Sequence, residues 1–126
     1  MSDTYLDRLT TLLKQARPRL AHTHRLAFKN VFGAVGGYVN GRLFISCGKF
    51  GVALRLPSQT LESLFHKKIV KHLKYFPNGH IKKEYAVFPK QMVEDNRQFH
   101  HFIAQSVGYV LALKDQKEKN LPPPKT

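Results

Sequence analysis

Asn40-Gly41 constrains this chain more than any other pair of residues in it. A two-residue type I′ turn requires positive φ at both central positions, which Asn followed by Gly tolerates best. Set between Val35-Gly36-Gly37-Tyr38-Val39 and Arg42-Leu43-Phe44-Ile45, the pair predicts a tight β-hairpin. The turn dictates a register: Val39 opposite Arg42, Tyr38 opposite Leu43, Gly37 opposite Phe44 and Gly36 opposite Ile45. Cross-strand partners share a face. Tyr38, Leu43, Ile45 and Cys47 are therefore predicted to point into the core, with Val35, Val39 and Phe44 on the other side. Glycine inside a strand marks a bulge, a bend or a close approach, so Gly33, Gly36 and Gly37 predict a sharply bent strand entering the hairpin. No helix follows directly and no Lys-Ser/Thr pair stands there, which excludes a phosphate-binding P-loop and a dinucleotide fingerprint.

Around this hairpin the chain reads as helix, three strands, helix, two strands, helix. Leu6, Leu9, Leu13 and Ala16, with Leu12 beside them, form one apolar stripe of a first helix capped by Ser2 and stopped at Pro18. Arg25 to Phe32 is extended and leads into the glycines. After Gly48-Lys49-Phe50-Gly51, Val52 to Leu56 completes an antiparallel meander. Ser58 is predicted to cap a second helix with Leu61, Leu64, Phe65 and Ile69 on its apolar side. Leu73–Pro77 and Ile81–Phe88 form a second hairpin. A three-residue loop, Asn78-Gly79-His80 with Gly79 left-handed, pairs Lys74 with Glu84 and Leu73 with Tyr85, and avoids setting Lys74 against Lys83. Asp95 or Asn96 caps the last helix, in which Phe99, Phe102, Ile103, Val107, Val110 and Leu111 have the clearest 3.6-residue period and Gly108 predicts a close contact. Runs of antiparallel strands with segregated helices make an α+β fold. Residues 1–114 form one domain, and 115–126, rich in Lys and Pro, a flexible tail.

The charge is the most unusual feature. Lys and Arg number 21 against 8 Asp and Glu, a formal net charge of +13 over 126 residues. Such a field draws in polyanions, of which nucleic acid is the foremost, because Lys and Arg contacts to phosphate dominate that binding. The densest basic cluster is Lys67, Lys68, Lys71 and Lys74, read either as a solvated face or as a phosphate contact. Lys82, Lys83, Arg25 and Lys29 complete the candidate nucleic-acid-binding set. His22 and His24 lack further metal ligands nearby. No nucleophile–base pair, spaced carboxylate pair or cofactor motif stands out, so the chain reads as a non-enzyme with no cofactor. One cysteine, Cys47, precludes an internal disulfide. The absence of an apolar run of membrane-spanning length and of a secretory signal points to a cytoplasmic protein without a membrane partner.

The glycine-rich hairpin also carries a family likeness. Lys29, Phe32, Gly33, Gly36, Tyr38, Val39, Gly41 and Phe44 match the pattern of the TfoX (Sxy) competence regulators, and the chain resembles their N-terminal domain. The likeness runs on through Gly51-Val52-Ala53-Leu54-Arg55-Leu56, Tyr85 to Pro89 and Glu94-Asp95. It implies an α-β3-α-β2-α fold similar to secretion chaperones, with no catalytic residues. It also implies a regulatory role in DNA uptake through contact with DNA, a transcription factor or both. A homodimer is a further partner open to the chain. The alternative is a basic nucleic-acid-binding module with no competence role.

Overall fold

The structure, a computed structural model, describes residues 2–76, 78–95 and 97–113. The caps expected at Ser2 and at Asp95 or Asn96 lie outside the described side chains, and the tail 115–126 lies outside the described residues. The elements are α1 (Ser2–Ala16), α2 (Leu20–Thr23), β1 (Leu26–Val31), β2 (Ala34–Val39), β3 (Arg42–Gly48), β4 (Gly51–Arg55), α3 (Ser58–His66), β5 (Lys71–Leu73), β6 (Lys82–Phe88), α4 (Lys90–Asp95) and α5 (Arg97–Ala112). The fold is α+β: a six-stranded open antiparallel sheet in the order β1-β2-β3-β4-β6-β5.

The first block holds four strands where three were expected. Phe32-Gly33 is itself a two-residue turn, with φ of 50° and 84°, and it folds β2 back on β1 with Val31 opposite Ala34. Asn40-Gly41 turns as predicted, with φ of 50° and 82° and Val39 opposite Arg42. Beyond Leu43 the register differs from the expected one. A bulge lets Phe44 drop out of the pairing, so that Gly37 faces Ile45 and Gly36 faces Ser46. The glycines explain the bulge's tolerance: a Cβ on Gly37 would stand 2.7 Å from Ile45 Cγ2, and one on Gly36 2.7 Å from Leu43 Cδ1.

The bulge also decides which side is the core. Val39, Phe44, Ile45 and Cys47 are fully buried, and with Val35 they join the cluster built from α1, α3, α4 and α5. Tyr38 and Leu43, expected inside, lie on the opposite face, each half-buried. A bulged residue leaves a backbone group without a ladder partner. Ser106 of α5 answers it: its buried Oγ lies 3.0 Å from the Phe44 carbonyl oxygen and 2.6 Å from that of Arg55. Arg42 adds a second tie, donating from Nη1 to the Val110 carbonyl at 3.1 Å, near the negative end of α5.

The helices follow the predicted stripes. Leu9, Leu12 and Leu13 are buried on α1, and Phe99, Ile103, Val107 and Val110 on α5. His22 sits in the short α2, which the sequence reading did not anticipate. Pro57 rather than Ser58 occupies the cap of α3. That helix ends with Lys68 left-handed (φ 59°), Ile69 N–H donating to Leu64 and Lys68 N–H to Phe65, a Schellman closure. Glu94-Asp95 ends a separate short α4. Gly108 is exposed with open space around it, so no close contact accounts for it.

The second hairpin keeps its expected register only at its far end, where Lys71 faces Val87 and His72 faces Ala86. A bulge then sets Leu73 against Lys82 instead of Tyr85, and β5 ends there, with residues 74–76 and 78–81 outside the strands. Glu84 pairs with Arg55 at 2.7 Å rather than with Lys74, and Gly79 is not left-handed. The driving force is burial: Leu73 is fully buried against Ala53 and Val87 on the sheet face that, among the described residues, no helix covers.

Candidate nucleic-acid interface

The register places Lys29, Gly36, Tyr38, Leu43, Ser46, Ala53, Arg55, Tyr85 and Val87 on that helix-free face. Its small cluster, Ala53, Leu73 and Val87 with Phe50, Tyr75 and Tyr85 around them, contains no helical residue. Tyr75, leaving β5, crosses back over the sheet until its hydroxyl lies 3.4 Å from Ser46 Oγ, a long hydrogen bond. Its ring meets Phe50 edge-on at 5.6 Å and Phe32 at 5.5 Å between centroids. Phe32 in turn meets Phe76 edge-on at 5.3 Å. The Phe76 carbonyl accepts from Gly79 N–H at 2.9 Å, and a Cβ on Gly79 would stand 3.2 Å from that oxygen, a tight contact.

Cations interleave with these rings. Lys29 Nζ stands 5.1 Å from the centre of the Tyr38 ring, and the Arg55 guanidinium 6.0 Å from that of Tyr85. Tyr38, Leu43, Arg55, Lys82, Lys83, Glu84 and Tyr85 line a surface recess of about 420 Å³. Burial pushes the Tyr85 hydroxyl well above its usual range, with Arg55 opposing, and burial likewise raises Tyr75. Both phenols are therefore neutral donors at physiological pH. The six strands carry Lys29, Arg42, Arg55, Lys71, Lys82 and Lys83 against a single carboxylate, Glu84, which Arg55 already engages.

The eight predicted site residues do not form one patch. Lys67, at the end of α3, lines a groove of about 400 Å³ with Met92 and Gln105 on the helix side. Lys71 shares the helix-free side with its partner Val87. Lys68 sits at the α3 turn, Lys74 just after β5, and Lys82 and Lys83 open β6. Lys29 lies on β1 at the far edge, five strand spacings from β5, or roughly 24 Å. Arg25 precedes β1 and is tied through its backbone to Asn40, whose Oδ1 accepts from Arg25 N–H at 3.0 Å. Sequence reasoning missed the aromatic half of the interface: Phe32, Tyr38, Tyr75, Phe76 and Tyr85. Tyr75-Phe76, just ahead of Pro77-Asn78-Gly79, was the one local signal for them; Phe32-Gly33 gave none, because a bulky residue stands where a turn usually has Asn or Asp.

Cys47 is fully buried, and burial pushes its thiol up, with Arg8 opposing. Among the described residues no group of three or more His, Cys, Asp or Glu is placed to hold a metal, and no helix is long and apolar enough to cross a membrane. Comparison with protein families, curated proteins and solved structures returns no match.

Proposed function

We propose that this chain is a non-enzymatic regulatory protein, akin to the N-terminal domain of TfoX-type regulators, that acts by contact with nucleic acid through the helix-free face of its sheet. The observation that carries the reading is that face itself: a sheet surface without helices, on which Lys29 stands over Tyr38 and Arg55 over Tyr85 in a chain of net charge +13. Cations supply the sequence-independent attraction to phosphate, and rings supply surfaces for bases. The observed order, α1-α2-β1-β2-β3-β4-α3-β5-β6-α4-α5, departs from the α-β3-α-β2-α arrangement that the resemblance implies by the edge strand β1 and the short helices α2 and α4; what supports the kinship is the shared succession of a strand block, a helix, two strands and a long last helix.

The test is a titration of the full chain with duplex DNA, single-stranded DNA and RNA at two salt concentrations. Affinity falls steeply as salt rises. Replacing Lys29, Lys71, Lys74 and Lys82 by Gln flattens the slope of log affinity against log salt by about 0.7 to 0.9 for each phosphate that is no longer neutralised. No affinity for any of the three overturns the reading and leaves a protein, such as a transcription factor, as the partner.

A further inference from the structure

Phe32 and Phe76 are 63% and 52% exposed, and they are two of the four large hydrophobic side chains exposed among the described residues. Their rings touch, so their exposure forms one patch. Phe32 also holds a left-handed backbone (φ 50°), a conformation that a bulky residue adopts only under strain and that Asn or Gly would adopt freely. A strained backbone combined with an exposed ring is unfavourable twice over for folding, and strain of this kind concentrates where a ligand is met. Behind the pair, Tyr75 continues the array to Phe50.

The flanking charge identifies the occupant. Exposed cations adjoin these rings along the chain: Lys74 precedes Tyr75, and Lys49 precedes Phe50. Lys29 lies on the same sheet face, over Tyr38. In a duplex the base faces are stacked on one another, so a phenyl ring reaches them only by unstacking a base step, at a cost of about a few kcal/mol. In a single strand the base faces are available, and stacking on aromatic side chains is the main source of sequence-tolerant affinity. Resting on the nucleic-acid reading above, we propose that the helix-free face takes single-stranded nucleic acid. Bases stack on Phe32 and Phe76, and Lys29, Lys49 and Lys74 neutralise the adjoining phosphates.

The experiment is fluorescence anisotropy of the full chain with labelled single-stranded DNA, single-stranded RNA and a duplex of equal length, at two salt concentrations. The variants are Phe32→Asn, which suits the left-handed turn, and Phe76→Ser. The single strands are expected to bind about tenfold or more tighter than the duplex. Each variant weakens single-strand binding by about tenfold, the effect of losing one stacked base. The salt slope stays unchanged, because no cation has been removed, and the melting temperature of Phe32→Asn does not fall. The DNA and RNA arms decide which sugar is preferred. Equal affinity for duplex and single strand, with Phe32→Asn binding like the parent, overturns this proposal while the nucleic-acid reading stands. Absence of binding in every arm overturns both.

Discussion

The two faces of the sheet are built from the same strands but follow different rules. The covered face is apolar and closed: Val39, Phe44, Ile45, Val52 and Leu54 are at most 1% exposed beneath α1 and α5, and Ser106 reaches the carbonyl that the β3 bulge releases. The helix-free face is aromatic and cationic, with a cluster of only three buried residues and rings that remain half in solvent. A surface kept for stability alone would not carry Phe32 exposed in a left-handed turn. The difference teaches that the covered side supplies the fold, while the other side carries a composition that stability alone does not require.

The strongest way to break this contrast is to truncate one residue on each side. Phe99→Ala removes a fully buried ring packed on Phe88 and is expected to cost about 3 to 5 kcal/mol in urea unfolding. Phe32→Asn should leave the urea midpoint no lower. A Phe32 variant as damaging as Phe99→Ala would place Phe32 in the structural core and end the comparison.

Alkaline titration separates the faces by chemistry. Burial raises Cys47 on the covered side and Tyr75 and Tyr85 on the other. A raised acid holds its proton longer in the folded chain than in the unfolded one. Stability is therefore full below the unfolded values of 9.0 for the thiol and 10.0 for the phenols, and it declines as pH rises past them toward the folded values. The loss is at most about 1.4 kcal/mol per pH unit for each group. Tyr85→Phe should remove a large part of the decline above pH 10 in a melting series. An unchanged decline would assign it elsewhere.

Two smaller effects sharpen the account of the covered side. Ser106→Ala leaves the Phe44 and Arg55 carbonyls without their shared hydroxyl and should cost about 1 to 3 kcal/mol; a neutral result would mean that the bulge needs no partner. Gly108→Ala, on an exposed turn of α5 with open space for a methyl group, should stabilise by about 1 kcal/mol.

The parts of this fold that were readable in advance are those written in local chemistry. Asn40-Gly41 announced its turn, and the stripes of Leu9-Leu13 and Phe99-Ile103-Val107-Val110 announced their helices. Phe32-Gly33 was not readable as a turn because a bulky residue at that position breaks the usual preference for Asn or Asp. The bulge at Phe44 and its counterpart at Leu73 depend on contacts far away in sequence: Ser106 for one, Ala53 and Val87 for the other. One bulge exchanges the two sides of the residues beyond it: it brought Ile45 and Cys47 to the side of Val35 and Val39, which became the core and left Tyr38 and Leu43 on the open face. The basic half of the candidate interface was visible as composition. The aromatic half required the return of Tyr75 over the sheet to Ser46, which no periodicity encodes.

Amide chemical-shift mapping of the full chain during titration with a short single-stranded oligonucleotide tests the central claim most directly. The account predicts that the perturbed amides cluster on Lys29, Phe32, Tyr38, Lys74, Tyr75, Phe76 and Tyr85, while those of α1 and α5 stay in place. Perturbations confined to the helical layer, around Lys67 and the groove between α3 and α5, would contradict it.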